Sequence, residues 1–506
     1  MKLKAAVFIS GMAVMIIEIL GSRLIAPYFG NSIFVWTSII GVVLASLSLG
    51  YYFGGRLADK EPSIEKLSQI LLYAGLAVCF IPAISTPILL LSTLFGLKFG
   101  SITASLILLS IPSILLGVVS PYAVKLETKK LGVLGKTAGN LYAISTFGSI
   151  IGTFLTGFVL IPLIGVKSIL YLVALLLFSA SIILSIQNKI KVLASIGIMV
   201  MIIIYIAPKS EALDSAGLVY SHDTPYYHIT VRDGEKWGRN LRNLHLDIGL
   251  QGGMFLDTNE SIYPYSYFFQ VPFTLREDIR DVLSLGTGAG ITQSSLIKHY
   301  PDVRVDTVDI DSEVARVASE YFGFVESEKL RFYLDDARFF LTNSQKKYDL
   351  IILDAFTSDP STPPHLTTTE MLGGIKDHLN EEGIFAANVI ASIDGQYSHF
   401  FKNFVKTCRR QFSCVHILPM SGELEELQNI IIIGMDSSEC IGKEDLRILL
   451  RTLPENPIVD WKTYSANLMF DDLNLTGASV LTDDYAPVEY LQMKASEKVV
   501  QRYYQY

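Results

Sequence analysis

Cysteine is scarce in this sequence: four of 506 residues are cysteine, and no two of them form a CxxC pair. Neither a cysteine-based zinc site nor a disulfide framework is therefore expected to organise the fold. Cys408 and Cys414 could pair with each other, although nothing in the pattern requires this bond.

Acidic residues are nearly missing from the first part of the chain. Residues 1–209 contain 15 Lys and Arg but only 5 Asp and Glu, so the totals of 41 and 49 leave 26 basic and 44 acidic residues for the rest. The second part is therefore acidic, which argues against nucleic acid as a partner. An acidic surface is compatible with a cationic substrate, and also with simple solvation.

Long apolar runs dominate the basic part, and about 17 to 25 such residues are enough to cross a bilayer. The first run follows Lys2 and Lys4 and shows no small-residue cleavage site, so we expect it to be retained as an anchor in the lipid bilayer. Seven spans are predicted, the first and last a little short, at residues 5–20, 33–53, 67–91, 102–123, 141–164, 169–186 and 192–206.

Loop charges predict the orientation of these spans, because cytoplasmic loops are enriched in Lys and Arg. Eleven basic residues fall on one side and only Arg23, Lys98 and Lys167 on the other, so the N-terminus is expected in the cytoplasm. Seven spans would then place the acidic part outside, where nucleotide-type cofactors are scarce. If residues 192–206 lay along the interface, six spans would keep it in the cytoplasm, which is the placement we expect.

The acidic part alternates short apolar runs with helical segments from residue 281 onward. This alternation predicts a doubly wound α/β domain with a largely parallel sheet, in which ligands bind at the carboxyl ends of the strands. The predicted strands are "DVLSLG", "VRVDTVD", "LRFYL", "DLIILD", "IFAANVI", "CVHILP" and "NIIIIG".

The ends of the first four predicted strands carry the residues expected in a nucleotide-type site. The first strand runs into Gly286, Gly288 and Gly290, which would allow a sharp turn and a close approach of ligand to backbone. Asp309 ends the second strand at the spacing of a ribose-binding carboxylate. Asp335 or Asp336 follows the third strand and could bind an adenine amino group, and Asp354 ends the fourth, near the expected position of the transferred group.

In order along the chain, "LSLGTGAG", "VDIDSEVARVASEYFGF", "DDARFFL", "YDLIILDAF", "PPHLTTTEM" and "LTDDYAP" resemble the spermidine synthase superfamily, in particular members with an N-terminal multi-span region. The resemblance implies a membrane helical bundle at 1–208, a small β-rich subdomain at 209–275 and a methyltransferase-like Rossmann domain at 276–506. It also implies S-adenosylmethionine or its decarboxylated form as co-substrate, without a metal, and admits a homodimer.

The resemblance assigns roles to individual residues. Asp309 would bind ribose, Asp336 with Ala337 would bind adenine, and Asp354 would orient and deprotonate an attacking amine. Gln251, the glycines of the loop and Asp311 complete the expected cofactor site, and Tyr227, Tyr265 and His365 are the expected acceptor-binding residues. His365 could act as a base at the acceptor, while the threonines that follow it would cap a helix.

Departures from the soluble polyamine enzymes keep other functions open. Their glycine loop carries an aspartate where this chain has Ala289, their Tyr-Gln pair is Tyr226-Tyr227 here, and their Tyr-x-Glu is Tyr265 with Tyr267. Aminopropyl transfer to a small-molecule or membrane-associated amine is the expectation from the family. Methyl transfer from intact S-adenosylmethionine, and a transporter or sensor that binds a polyamine or nucleoside without turnover, are the alternatives.

Overall fold

The computed structural model describes residues 1–30, 32–128, 130–185, 217–247, 249–356, 361–438, 440–456, 458–467 and 473–503. The chain divides into two compact units. One comprises Met1–Asp214 with His222–His228, and the other comprises Ser215–Ser221 with Ile229–Tyr506. The division follows the change from basic to acidic composition.

The first unit is helical. Six of its helices, counting Leu134–Leu160 as one, are long and apolar enough to cross a membrane, and they coincide with six of the predicted spans. The seventh predicted span, residues 192–206, lies outside the described residues. The helices are α1 (Lys2–Phe29), α2 (Ile33–Lys60), α3 (Ile64–Thr93), α4 (Gly96–Glu127), α5 (Leu134–Leu155, followed by a π-helical turn Thr156–Leu160), α6 (Ile161–Leu163) and α7 (Val166–Leu184), with a 3₁₀ turn at Leu131–Val133.

Small residues allow these helices to pack closely. A Cβ at Gly50 of α2 would lie 2.3 Å from the carbonyl oxygen of Ile114 in α4, so only glycine fits there. The hydroxyl groups of Ser68 and Ser181 lie 2.9 Å apart between α3 and α7, within a buried contact. Small residues and hydroxyl pairs are typical of helix contacts inside a membrane, where burial of apolar side chains gives little net gain.

A four-stranded antiparallel sheet follows in the order β1 (Leu218–Asp223), β2 (His228–Lys236), β3 (Arg239–Leu246) and β4 (Gly249–Phe255). Ile229, Val231 and Leu244 are fully buried, and their neighbours Thr230 and His245 are nearly so, at 7% and 9% exposed. Burial therefore extends over consecutive residues of β2 and β3 and does not alternate along them. The small β-rich subdomain predicted before the Rossmann domain is confirmed by this four-stranded sheet.

The main sheet has seven strands in the order β10-β11-β9-β8-β5-β6-β7. Neighbours from β9 to β7 are parallel, and β11 is antiparallel to both of its neighbours. This is the methyltransferase-like Rossmann fold that was predicted. The strands are β5 (Asp281–Leu285), β6 (Arg304–Asp309), β7 (Leu330–Leu334), β8 (Tyr348–Leu353), β9 (Leu379–Ala391), β10 (Cys414–Pro419) and β11 (Gln428–Met435).

Helices cover the sheet, and two clusters of buried apolar side chains form its core. Every residue of β8 is buried, as expected for a central parallel strand with both faces covered. The helices are α8 (Tyr265–Phe268), α9 (Pro272–Leu275), α10 (Ile291–His299), α11 (Ser312–Phe322), α12 (Ala337–Asn343), α13 (Thr369–Asp377), α14 (His399–Gln411), α15 (Lys443–Leu450), α16 (Trp461–Asn467) and α17 (Val488–Tyr503), with 3₁₀ turns at Pro364–Leu366 and Gly395–Tyr397.

The cysteine pairing differs from the one that the sequence allowed. Cys414 forms a disulfide with Cys440, with 5.4 Å between their Cα atoms, and Cys408 is a buried free thiol. Cys408 belongs to the buried face of α14, whereas Cys414 begins the edge strand β10. The bond between Cys408 and Cys414, which the sequence left possible, is therefore not formed, because Cys414 is bonded to Cys440.

Candidate active site

The glycine loop follows β5 and needs its glycines for two reasons. Gly286, Gly288 and Gly290 all have positive φ values, of 103°, 52° and 69°, which side-chain-bearing residues rarely adopt. A Cβ at Gly286 would also lie 2.3 Å from the carbonyl oxygen of Asp354, and one at Gly290 would lie 2.5 Å from Phe324. The loop therefore packs directly against the carboxyl end of β8 and turns into α10.

Strand β4 lies against the glycine loop. A Cβ built on Gly252 would lie 2.8 Å from the Cβ of Ala289, and one on Gly288 would lie 3.4 Å from the carbonyl oxygen of Gln251. Ala289 itself is only 4% exposed. Gln251 and the loop, predicted from distant parts of the sequence to bind the same cofactor, are therefore neighbours in the fold.

Asp309 ends β6 and is held by backbone donors. Its Oδ2 accepts a hydrogen bond from Thr287 N at 3.0 Å and its Oδ1 accepts one from Asp311 N at 3.1 Å. Burial raises the pKa of Asp309 to about 6, and these backbone donors limit the rise. A carboxylate offers about four lone-pair sites, so Asp309 retains capacity to accept hydrogen bonds from ligand hydroxyl groups.

Asp311 caps α11, since its Oδ1 accepts a hydrogen bond from Glu313 N at 3.0 Å. The residue is almost fully buried. The structure gives this side chain a capping role, and its predicted contact with a cofactor stays a prediction.

Asp336 and His365 form a pair at the end of β7. Asp336 caps α12 through Oδ1, which accepts hydrogen bonds from Arg338 N at 2.9 Å and Phe339 N at 3.0 Å. Its Oδ2 lies 3.1 Å from Nε2 of His365. His365, predicted to serve the acceptor, thus contacts the residue predicted to bind adenine, next to Ala337.

The C-terminal "LTDDYAP" segment braces this region. The Asp483 carboxylate accepts two hydrogen bonds from the Arg338 guanidinium, at 2.7 and 2.5 Å, and one from the Thr368 hydroxyl at 2.7 Å. Bidentate pairs of this type fix both partners in orientation. The motif that contributed to the family resemblance therefore acts here by holding the start of α12 and the loop before α13.

Asp354 follows β8 immediately beside the glycine loop. Its backbone N–H donates to the carbonyl oxygen of Leu285 at 3.0 Å, and its Oδ1 accepts a hydrogen bond from Asn388 Nδ2 at 2.9 Å. Burial raises the pKa of Asp354 to about 6, and the Asn388 donor limits the rise. The pKa of Tyr265 is raised by burial and, secondarily, by the charge of Asp354. A partly exposed carboxylate with a pKa near 6 is mostly ionised at neutral pH and suited to accept a proton.

The fold thus brings Gln251, the glycine loop, Asp309, Asp354 and Tyr265 into one compact unit. The glycine loop, Asp309 and Asp354 lie at the carboxyl ends of the adjacent strands β5, β6 and β8. Tyr227 belongs to the other compact unit, where its carbonyl oxygen accepts hydrogen bonds from Thr224. Its role as an acceptor-binding residue stays a prediction. Among the described residues, no group of three or more His, Cys, Asp or Glu could hold a metal ion.

Sequence reasoning missed Asn388, Asn429 and Asp483. A detectable signal existed for the first, since a polar residue in "IFAANVI" interrupts an apolar stretch of a predicted central strand. Asp483 lies in "LTDDYAP", which contributed to the family resemblance without a role for any single residue. Its partner Arg338 is 145 residues away in sequence.

Residues 264–420 match the family model of the spermine/spermidine synthase domain. A probable polyamine aminopropyl transferase of Bifidobacterium longum is 24% identical over 306 residues, which cover 56% of this chain and 64% of that protein. A polyamine aminopropyltransferase of Vibrio vulnificus is 36% identical over 114 residues, which cover 22% of this chain and 38% of that one. The chain therefore spans less than two thirds of the length of either relative.

A solved structure of a probable spermidine synthase from Corynebacterium glutamicum aligns with a TM-score of 0.42 and 19% identity. The alignment covers 53% of this chain and 96% of that one. Residues 264–420 are therefore similar to the spermine/spermidine synthase domain, and the two relatives are a probable and a named polyamine aminopropyltransferase.

Proposed function

We propose that this chain is a membrane-anchored, spermidine-synthase-like transferase that binds S-adenosylmethionine or its decarboxylated form and transfers an aminopropyl group to an amine acceptor. The observation that carries the proposal is Asp354, a carboxylate with a pKa near 6 whose backbone packs against Gly286 of the glycine loop. This position supports Asp354 as the proton acceptor that group transfer to an amine requires, beside the expected cofactor site.

The co-substrate would supply a carbon made electrophilic by a neighbouring sulfonium. Asp309 accepts hydrogen bonds from ribose hydroxyls, and the glycine loop lets the ligand approach the backbone. Asp336 with Ala337 binds the adenine ring. Asp354 orients the acceptor amine and takes its proton as the new C–N bond forms and the C–S bond breaks, with the bonding electrons passing to sulfur.

The form of the co-substrate depends on the space beside Ala289. The soluble enzymes that this chain resembles carry an aspartate there, which favours the bare amine of the decarboxylated form. Ala289 is uncharged and packs against Gly252, so it contributes no charge that discriminates between the two forms. Methyl transfer from intact S-adenosylmethionine is therefore the second candidate function.

Calorimetric titration of the purified full chain with each form tests the cofactor assignment. Asp309→Ala removes a carboxylate that can make two charge-assisted hydrogen bonds, so it should weaken binding by roughly 2 to 4 kcal/mol. Asp302→Ala, an exposed aspartate just before the other end of β6, is the matched control and should bind as the parent does. Unchanged binding by Asp309→Ala would remove the assignment.

Turnover distinguishes an enzyme from a transporter or sensor. Incubation with the decarboxylated form and a diamine should release the adenosyl thioether product together with a longer polyamine. Release of the demethylated product from intact S-adenosylmethionine would select methyl transfer instead. Tight binding of either form without product, across small-molecule and membrane-associated amines, would favour a binding protein.

The acceptor site is proposed to include Tyr265, whose pKa is raised secondarily by the charge of Asp354, and His365. The assignment of Tyr227 to acceptor binding stays a prediction from the resemblance. The homodimer that the resemblance admits stays a prediction, which a mass measurement in detergent would test. Tyr265→Phe keeps the ring and removes the hydroxyl group, so it should raise the acceptor KM more than it lowers co-substrate affinity.

Two arguments favour opposite sides of the membrane for the Rossmann unit. A supply of adenosyl-sulfonium co-substrate favours the cytoplasm. The Cys414–Cys440 disulfide favours an oxidising compartment, because disulfides persist outside the cytoplasm and are rare within it. The loop charges place the N-terminus in the cytoplasm, so seven spans would also place the Rossmann unit outside the cytoplasm.

Labelling of intact cells with a membrane-impermeant maleimide decides the side. Glu328→Cys places one thiol on an exposed turn of the Rossmann unit, and Lys130→Cys is the control in a loop expected inside. Cys79 and Cys408 are replaced by serine, and the disulfide is left intact. Labelling of residue 328 before lysis, with residue 130 labelled only afterwards, would exclude the cytoplasmic placement.

A further inference from the structure

Asn388 is a buried polar residue in the middle of the sheet. It lies in β9 between apolar neighbours and is 3% exposed. The parallel register pairs Leu353 of β8 with Ala387 of β9, so Asn388 lies beside Asp354 at the carboxyl end of both strands. Its Nδ2 donates the 2.9 Å hydrogen bond to Asp354 Oδ1. A buried amide in such a position is costly unless its hydrogen bonds are satisfied.

Asn429 of β11 completes a line of three polar side chains across three adjacent strands. Its Nδ2 donates a hydrogen bond of 3.1 Å to Oδ1 of Asn388. The antiparallel register places Asn429 opposite Ile390 and Asn388 opposite Ile431, so the two amides meet diagonally. The order along the line is Asn429, Asn388 and Asp354, with each donor directed towards the carboxylate.

This order gives the Asn388 amide one favourable orientation. A rotation by 180° would direct its carbonyl oxygen at the Asp354 carboxylate, which would repel it, and its NH₂ group at the Asn429 donor, which would have to rotate as well. Asn429 therefore has an effect on Asp354 without touching it. The line ends at Asp354, the residue that accepts the proton in the proposed function.

We propose that Asn388, oriented by Asn429, is a positioning residue that binds Oδ1 of Asp354 and thereby presents Oδ2 as the atom that accepts the proton. This inference rests on the proposed function for its catalytic meaning. Because the Asn388 amide holds Oδ1 of Asp354, the carboxylate cannot rotate away from the acceptor amine. The donor also favours the ionised form of the carboxylate, which is the form that acts as a base.

The same two strands supply a matched control at their opposite ends. Asn380 of β9 donates a hydrogen bond of 2.8 Å from Nδ2 to Oδ1 of Asp349 in β8. Like the pair of Asn388 and Asp354, this pair joins an asparagine of β9 to an aspartate next to or within β8. It lies at the amino ends of the strands, away from the glycine loop. Asn380→Leu therefore measures what the loss of such a pair does to the fold alone.

The first measurement is the pH profile of kcat/KM, with the decarboxylated co-substrate and putrescine as probes. Asn388→Leu removes the donor from Asp354, so the acid limb should move upward by about one pH unit and kcat should fall roughly tenfold. Co-substrate affinity by titration should hardly change. Asn429→Leu should move the limb in the same direction by less, and Asn380→Leu should leave its position unchanged.

The second measurement needs no activity. Asp354 has a folded pKa above that of an unfolded chain, so its ionisation lowers stability as pH rises through about 4 to 6. Without its donor the folded pKa rises further, so Asn388→Leu should lose more melting temperature at pH 8 than at pH 5. Asn380→Leu should lose the same amount at both pH values. Should Asn388→Leu fail to fold, Asn388→Asp keeps the shape and raises the same pKa through a second carboxylate.

The outcomes separate the two proposals. If the parent chain transfers no group but the Asn388 variant shows the pH-dependent loss of stability, the proposed function fails while the assignment of Asn388 as the donor to Asp354 stands. If the parent is active, an unshifted acid limb in both Asn388 variants overturns the positioning role. An equal shift in Asn380→Leu would also overturn it, since the effect would then be structural.

Discussion

An aspartate lies at each end of strand β8, and the pKa is lowered at one end and raised at the other. Asp349, at the amino end, accepts hydrogen bonds from Arg280 N at 2.9 Å and Asp281 N at 3.0 Å, and from Asn380 at 2.8 Å. Arg276 lies 3.3 Å from its Oδ1. Burial raises the pKa of Asp349, but these donors outweigh burial and hold the pKa below its usual value. At the carboxyl end, Asp354 accepts a side-chain hydrogen bond from Asn388 and has a pKa of about 6.

Burial and hydrogen-bond donors together therefore set the two pKa values apart: the shift of Asp354 is dominated by burial, and that of Asp349 by its donors. Asp349 is 6% exposed and remains ionised, because four donors replace its hydration. Asp354 is partly exposed, yet burial raises its pKa, because few donors compensate for the water it has lost. An under-satisfied carboxylate at the mouth of a sheet is a recurrent feature of functional sites.

Asp349→Ala should have the largest effect on stability. The substitution leaves two backbone N–H groups and the Asn380 amide without their buried acceptor, while Arg276 keeps its ion pair with Asp278, and it costs about 3 to 4 kcal/mol. Thermal and chemical unfolding of the full chain in detergent would measure the loss. Asp354→Ala should lose much less, and an equal loss at both ends would contradict the distinction.

Asp354→Asn should have the largest effect on turnover. Asparagine keeps the shape and removes the base, so the rate should fall on the order of 100-fold or more, which is about 2.7 kcal/mol in the barrier. Co-substrate affinity should be nearly unchanged in titration. Loss of folding in this variant would instead assign Asp354 a structural role like that of Asp349.

The pH dependence of stability should distinguish the two aspartates by sign. The folded pKa of Asp354 is raised, so its contribution is favourable below the unfolded value near 4 and is lost as pH rises through about 6. The folded pKa of Asp349 is lowered, so its contribution is present above pH 4 and is lost as pH falls. Asp354→Asn should flatten the decline between pH 4 and 7 by about 1 to 2 kcal/mol. Asp309 also has a raised pKa and contributes to this decline in stability. If Asp354→Asn left the slope of stability against pH unaltered, the decline would be assigned to Asp309 alone.

Much of this site could be predicted from the sequence, because strand-end positions follow from local pattern. The glycine loop, Asp309 and Asp354 each end a short apolar run, and parallel strands place such ends on one edge. The hydrogen-bond donors to Asp349 and Asp354 could not be predicted, because Asn380 and Asn388 are 31 and 34 residues away from them in sequence. The Cys414–Cys440 pairing and the contact of His365 with Asp336 depend in the same way on tertiary packing.

Ala289→Asp would add a further carboxylate beside the glycine loop and is expected to have the smallest effect. The Cβ of Ala289 faces Gly252 of β4, so an aspartate there must fit its carboxylate between the glycine loop and β4 beside Gln251. A charge at this place repels the carboxylate of intact S-adenosylmethionine but not the amine that both forms share. We expect intact S-adenosylmethionine to bind roughly tenfold more weakly, about 1.4 kcal/mol, with the decarboxylated form bound no less tightly. Ala289→Asn has the same bulk without the charge, so it separates repulsion from crowding in the same titrations. An equal loss for both forms in both variants would mean that the gap between the loop and β4 holds no part of the methionine tail.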